Sequence, residues 1–225
     1  MAGQPFHSDQ FSRDIVTAVG MGDVRGCSLV LKFGQNEAVG TTDEDLWLAG
    51  GVIVHPSSAY VASVVSTDAD DVSGGSGATA VNVIGLDADY KVVSEVVIPT
   101  GATPATTTQT FIRINQTIAI SAGATASNEG VITTSLNSNV QSTIGVGSSL
   151  SHDSHYAVPV DHTLYIVEVD TYQGKDVTAN VAPSWKLFGK TSWLTPGRLV
   201  TYRNQARLEV FGGLIMTEKA DIKFK

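Results

Sequence analysis

Residues 110–120 read TFIRINQTIAI. In an extended chain successive side chains point to opposite faces, so Ile112, Ile114, Ile118 and Ile120 fall on one face, with Arg113, Asn115 and Thr117 on the other. This alternation predicts a half-buried β-strand with the isoleucines turned to a core. The period of two recurs on both sides of it. Residues 60–65, 80–84, 92–98, 131–134, 164–169, 182–188, 199–202, 207–211 and 221–224 all read as strands. Between them stand DDVSGGSG, GLDADY, PTGATP, SAGATASNEG, GVGSS, YQGKD, TPGR and FGG, rich in the residues that turns require. Because a sheet with one apolar face needs a second layer, about ten such strands predict an all-β chain with a β-sandwich, jelly-roll-like architecture. A barrel is the alternative.

The first part of the chain follows a different pattern. Phe11, Ile15, Val16 and Val19 have helical spacing, with Ser8 or Asp9 as a cap and Gly20 and Gly22 as a stop, which predicts one short helix. Leu29, Leu31 and Phe33 then alternate with Ser28, Val30 and Lys32, a polar loop follows, and Leu46, Trp47 and Leu48 meet Gly50 and Gly51. These short apolar clusters predict an N-terminal arm and anchoring segment over residues 1–51, followed by a β-sandwich domain over 52–225.

Composition excludes several classes. The chain has 225 residues and a net charge of −8, with 14 Lys and Arg against 22 Asp and Glu. No cluster of basic residues offers the counterion-releasing surface that nucleic acid binding needs. No apolar run approaches the roughly 18 residues of a membrane helix, and the N-terminus lacks the charged start and apolar stretch of a signal peptide, so the expectation is a soluble chain made in the cytoplasm. Cys27 is the single cysteine, which excludes an intrachain disulfide and predicts a small buried apolar residue.

Few side chains point to chemistry. His152, His155 and His162, with Asp153 between the first two, are the one histidine group with metal-ligand potential, yet GSSLSHDSHY reads as an exposed loop. His7 and His55 stand alone. Asp68, Asp70 and Asp71, and Asp87 and Asp89, lack the spacing of a calcium loop with its closing Glu; turn formation accounts for them better. Asp43, Glu44 and Asp45 lie side by side in an acidic loop and Glu95 on the polar face of a strand, so no acid–base pair follows. No serine-nucleophile elbow or phosphate-binding loop occurs. Trp185 and Trp193, with Tyr165, Tyr172 and Tyr202, suit either a sugar-binding face or ordinary packing. Asn115 opens an NQT sequon, which is meaningless without secretion. The reading is that there are no catalytic, cofactor-binding or metal residues, no cofactor and no enzyme activity.

The segment SGGSGATAVNVIGLDADYKVVSEVVIPTGATPATTTQTFIRINQTIAISAG resembles a pattern in structural proteins of tailed-bacteriophage virions. That pattern has a Gly-rich lead, a strand, GLD-x-DY, a strand with an internal SE, a GxTP loop and an aromatic-led strand. KFGQNEAVGTTDEDLWLAGG is similar to the upstream element of those proteins. HYAVPVDHTLYIVEVDTY resembles their later strand pair, with Asp161 and His162 where that family usually has Gly and Lys, and EKADIKFK resembles their last strand. The resemblance implies a non-enzymatic virion component, made in the host cytoplasm, whose partners are phage capsid or other virion proteins and further copies of itself. A capsid decoration or cement protein is favoured over a tail or portal-vertex protein. A carbohydrate-binding adhesin or fibre domain is a further alternative.

Overall fold

The computed structural model describes residues 15–172, 178–195, 197–202 and 205–225. The chain divides into two compact units, Met1–Lys32 and Phe33–Lys225. In the first, helix α1 (Ile15–Gly20) ends in a turn; Phe11 and the proposed caps Ser8 and Asp9 lie outside the described residues. Residues 28–32 form no strand, and Met21, Leu29, Val30 and Leu31 are exposed. Cys27 is exposed as well, contrary to expectation, because so short a segment has no layer to close over it.

The second unit is all-β, and its sheets are antiparallel. One sheet has the order β4 (Ala105–Phe111), β1 (Tyr60–Ser66), β6 (Ile132–Leu136), β7 (Asn139–Ile144). A second has the order β3 (Val92–Val97), β2 (Ala78–Leu86), β5 (Arg113–Ala122). Their inner faces interdigitate in one cluster: Ala62, Val64, Phe111, Ile132, Leu136 and Ile144 from the first sheet meet Ala78, Val81, Val83, Val97 and Ile114 from the second. Two sheets sharing one dry layer form a sandwich. A third sheet joins β11 (Pro183–Lys186), β14 (Asp221–Phe224) and β8 (Tyr156–Ala157). Two ribbons complete the set: β9 (Leu164–Tyr172) with β13 (Gln205–Met216), and β10 (Thr178–Val181) with β12 (Leu199–Tyr202). Val158, Met216, Ala220 and Ile222 form a separate core with Leu164, Trp185 and Leu214 packed on it, and Leu86, Tyr90, Ile112 and Ala157 make a third cluster. Among the described residues the apolar interior is therefore in three parts.

TFIRINQTIAI is not one strand. Phe111 ends β4 in the first sheet and Arg113 begins β5 in the second, so the chain changes layer across Ile112. Within β5, Gly85 pairs with Ile114 but Ile84 pairs with Gln116, which makes Asn115 an extra, bulged residue. One extra residue inverts the parity of everything after it. Ile114 is fully buried as expected, but Thr117 and Ala119 then turn to the core opposite Val83 and Val81, while Ile120 is 51% exposed. Thr117 is accommodated there because its hydroxyl donates to Thr134 Oγ1 across the two sheets, 3.1 Å away. Gly85 is required at the bulge, since a Cβ there would stand 2.1 Å from the Arg113 carbonyl oxygen.

The expected arm of residues 1–51 also divides differently. Residues 33–51 belong to the larger unit: Leu46 N–H donates to Phe224 O (2.8 Å), Ser154 N–H donates to Leu46 O (3.0 Å), and Asp45, Trp47 and Ile53 are buried. The last strand, distant in sequence, supplies the layer that these residues lack locally.

Candidate functional site

A group of bonded polar residues lies inside the protein. The bulge aims Asn115 at β8, where its amide donates to Ala157 O (3.0 Å) and its carbonyl accepts from Ala157 N–H (2.8 Å), replacing a strand partner. Buried in this way, Asn115 offers no sequon. Its neighbour Arg113 is buried too, contrary to the expected polar face. The guanidinium makes a two-pronged pair with Asp221, Nε to Oδ1 at 2.7 Å and Nη2 to Oδ2 at 2.9 Å, while Nη1 donates to Pro56 O and Ile112 O. Lys186 Nζ lies 3.3 Å from the same carboxylate. Burial alone would raise the Asp221 pKa, but the Arg113 bonds and the neighbouring positive groups hold it below its ordinary value.

His55 and His155, far apart in sequence, meet with ring centroids 5.5 Å apart and ring planes tilted by 59°. His55 Nδ1 lies 2.9 Å from Gln141 Oε1 and must donate, because an amide oxygen only accepts. His155 Nε2 donates to Ile114 O in the same way, at 2.8 Å. Burial, opposed by Asp221 and reinforced by Arg113 and Lys186, brings the His55 pKa down to about 4. His55 is therefore neutral at ordinary pH and acts as a hydrogen-bonding and packing group.

The HDSH segment is not the exposed loop expected. Asp153 is fully buried, accepting from Ser142 Oγ at 2.6 Å and Thr143 N–H at 3.3 Å, and His155 is buried with it. His152 lies 3.0 Å from Gln35 Oε1, and His162, on the surface, donates to Val160 O. Among the described residues the three histidines do not converge on one point; His7 lies outside those residues. The grouping of carboxylates with oxygens within 4.8 Å of one another is instead Asp68, Asp70 and Glu129, which sequence spacing did not connect. Beside them Asp71 is fully buried and satisfied by Ser66 Oγ (2.5 Å) and the N–H groups of Ala78, Glu129 and Gly130 (2.7–2.9 Å). These bonds outweigh burial and hold its pKa down. They pin the DDVSGGSG turn to the SNEG turn, and a Cβ on Gly77 would strike the carboxylate.

The remaining singled-out residues take structural places. Asp87 closes the β2–β3 hairpin, its carboxylate accepting from the N–H groups of Asp89 and Lys91. Glu95 bridges the seam between the sheets, taking the N–H groups of Thr108 and Gln109 on β4 at 2.8 Å each. Asp45 leaves the acidic loop and is buried with Lys223, Oδ2 to Nζ at 2.9 Å; Asp43 meets Arg198 at the surface. Trp185 packs on the core around Ile222, and Trp193 lies beneath two ammonium groups, Lys223 at 4.5 Å and Lys186 at 5.2 Å from its ring centroid. Tyr165 and Tyr172 are exposed, and the Tyr202 side chain lies outside the described atoms. On the outer face of the second sheet, Val92 and Val96 of β3, with Ile98 just beyond it and Ile120 of β5, are about half exposed. No family model, curated protein or solved structure matches this chain.

Proposed function

We propose that the protein is a non-enzymatic structural component of a tailed-phage virion, a decoration protein that binds neighbouring capsid subunits and further copies of itself. The observation that carries this reading is the outer face of the second sheet, where Val92, Val96, Ile98 and Ile120 stand exposed on a rigid β-framework. Apolar side chains exposed on one sheet face support a contact surface there. The buried ionisable groups point the same way: Arg113, Asp221, Asp71 and Asp153 are engaged in internal bonds and serve to stiffen the sandwich. The sugar-face alternative draws nothing from Trp185 and Trp193, one packed inward and the other beneath two lysines.

The test is quantitative mass spectrometry of purified particles of the phage that encodes the chain, alongside readdition of the purified protein to particles lacking it. The reading expects a fixed ratio to the major capsid protein and saturable rebinding. Val96→Asp should lose rebinding with an unchanged melting temperature. Absence from purified particles overturns the reading.

A further inference from the structure

Asp45 and Lys223 stand 178 positions apart, yet Nζ and Oδ2 are 2.9 Å apart and both side chains are almost wholly buried. The two carboxylate oxygens differ. Oδ2 also accepts the Ile53 N–H at 2.7 Å, whereas Oδ1, equally buried, has no hydrogen-bond partner among the described residues. The Trp193 ring covers the amine, its centroid 4.5 Å from Nζ. A buried carboxylate with one oxygen left unpaired is costly as an ion pair, and holding the amine against the carboxyl group removes the entropic cost of bringing the two together.

We propose that Lys223 and Asp45 condense to an intramolecular isopeptide bond, making this pair an autocatalytic modification site. A proton passes from the Lys223 ammonium to Oδ2 along the hydrogen bond that joins them. The Nζ lone pair then attacks Cγ, and the electron pair of the carbonyl bond moves onto Oδ1. A second proton follows from Nζ to Oδ2, the oxygen that the Ile53 N–H holds in place. The Cγ–Oδ2 bond breaks, Oδ2 leaves as water, and one hydrogen remains on the amide nitrogen. No oxidant, cofactor or external reactant is needed, and the product is a neutral amide that no longer has to bury two charges.

Intact mass and a tryptic map of the purified full chain test this directly. The expected mass, after allowing for removal of the initiator methionine, is that of the sequence less one water. Trypsin does not cut after an acylated lysine, so residues 220–225 should be recovered joined to the peptide spanning 33–91, with fragment ions placing the branch at Asp45 and Lys223. Asp45→Ala should have the full mass of its sequence. Because that variant also removes a buried partner, Lys223→Arg serves beside it: it keeps a cation at the site but forms no amide, so it should fold, show its full mass and melt lower than the parent. A wild-type chain of unmodified mass, tryptic cleavage after Lys223, or a water loss located on another residue overturns the proposal.

Discussion

Replacing Arg113 by Met removes the centre of the buried polar cluster while keeping most of the side-chain volume. Among the described residues Asp221 would then keep Lys186, at 3.3 Å, and the Pro56 and Ile112 carbonyls would lose their shared donor. Breaking a buried ion pair from one side costs about 3–5 kcal/mol, since the surviving charge stays desolvated. Each orphaned carbonyl would add about 1 kcal/mol or more. Lys186 offsets part of this, so a net loss of roughly 4 kcal/mol is expected. At the roughly 2–4 °C per kcal/mol typical of a chain this size, the melting temperature should fall by about 8–16 °C. The double variant Arg113→Met, Asp221→Leu should recover at least half of that loss, because it leaves no uncompensated acid. Calorimetry at neutral pH, supported by urea titration, measures both. A single variant that melts within about 2 °C of the parent, or a double variant worse than the sum of the singles, would refute the account of Arg113 as a structural pin.

The His55 pKa, near 4 when folded against about 6.5 when unfolded, means that the unfolded chain binds the extra proton between those values. Stability should therefore fall by up to roughly 3 kcal/mol as pH drops from about 6.5 to 4, and His55→Gln should flatten that slope in urea titrations run across the window. Asp71→Asn cannot accept all four of its hydrogen bonds and should lose about 2–3 kcal/mol, with hydrogen exchange rising first at residues 67–77 and 128–130. The bulge separates two isoleucines of the same string: Ile114→Asp should abolish the native near-ultraviolet dichroism, whereas Ile120→Asp should shift stability by no more than about 0.5 kcal/mol.

Strand content was legible wherever apolar residues alternate, because that pattern is itself the cause of one-sided burial. β1, β2, β3, β6 and β14 fall within a residue or two of where the alternation places them. The β4 and β7 segments ATTTQTF and NVQSTI were missed: buried positions in them hold polar groups such as Thr107 and Gln141, which are engaged in hydrogen bonds and give no apolar alternation. FGG reads as a turn but lies within β13, where the pairing with β9 is irregular. The facing of Ile118 and Ile120 was illegible because a bulge leaves the composition of a strand intact while reversing its later half. Charge partners were hidden for a different reason. Nothing near Arg113 in sequence announces Asp221, and nothing near Asp45 announces Lys223, since both partners arrive from the last five residues. A lone Arg between isoleucines was the one available sign, and an exposed strand face explained it equally well.

That the last strand carries both partners has a consequence for synthesis. While the chain is being made, Arg113 and Asp45 exist long before Asp221 and Lys223, and the sites they will occupy cannot close over unpaired charge. The sandwich sheets can pair early through β1 to β7, whose contacts lie closer in sequence, but the charges beside His55 and Trp47 lack their partners until β14 has been made. A chain cut short by even five residues would keep nearly all of its apolar surface and still lack the groups that neutralise its interior. Burial of Asp45 and Arg113 is thus conditional on β14, since their charges leave water only when that strand has docked beside them.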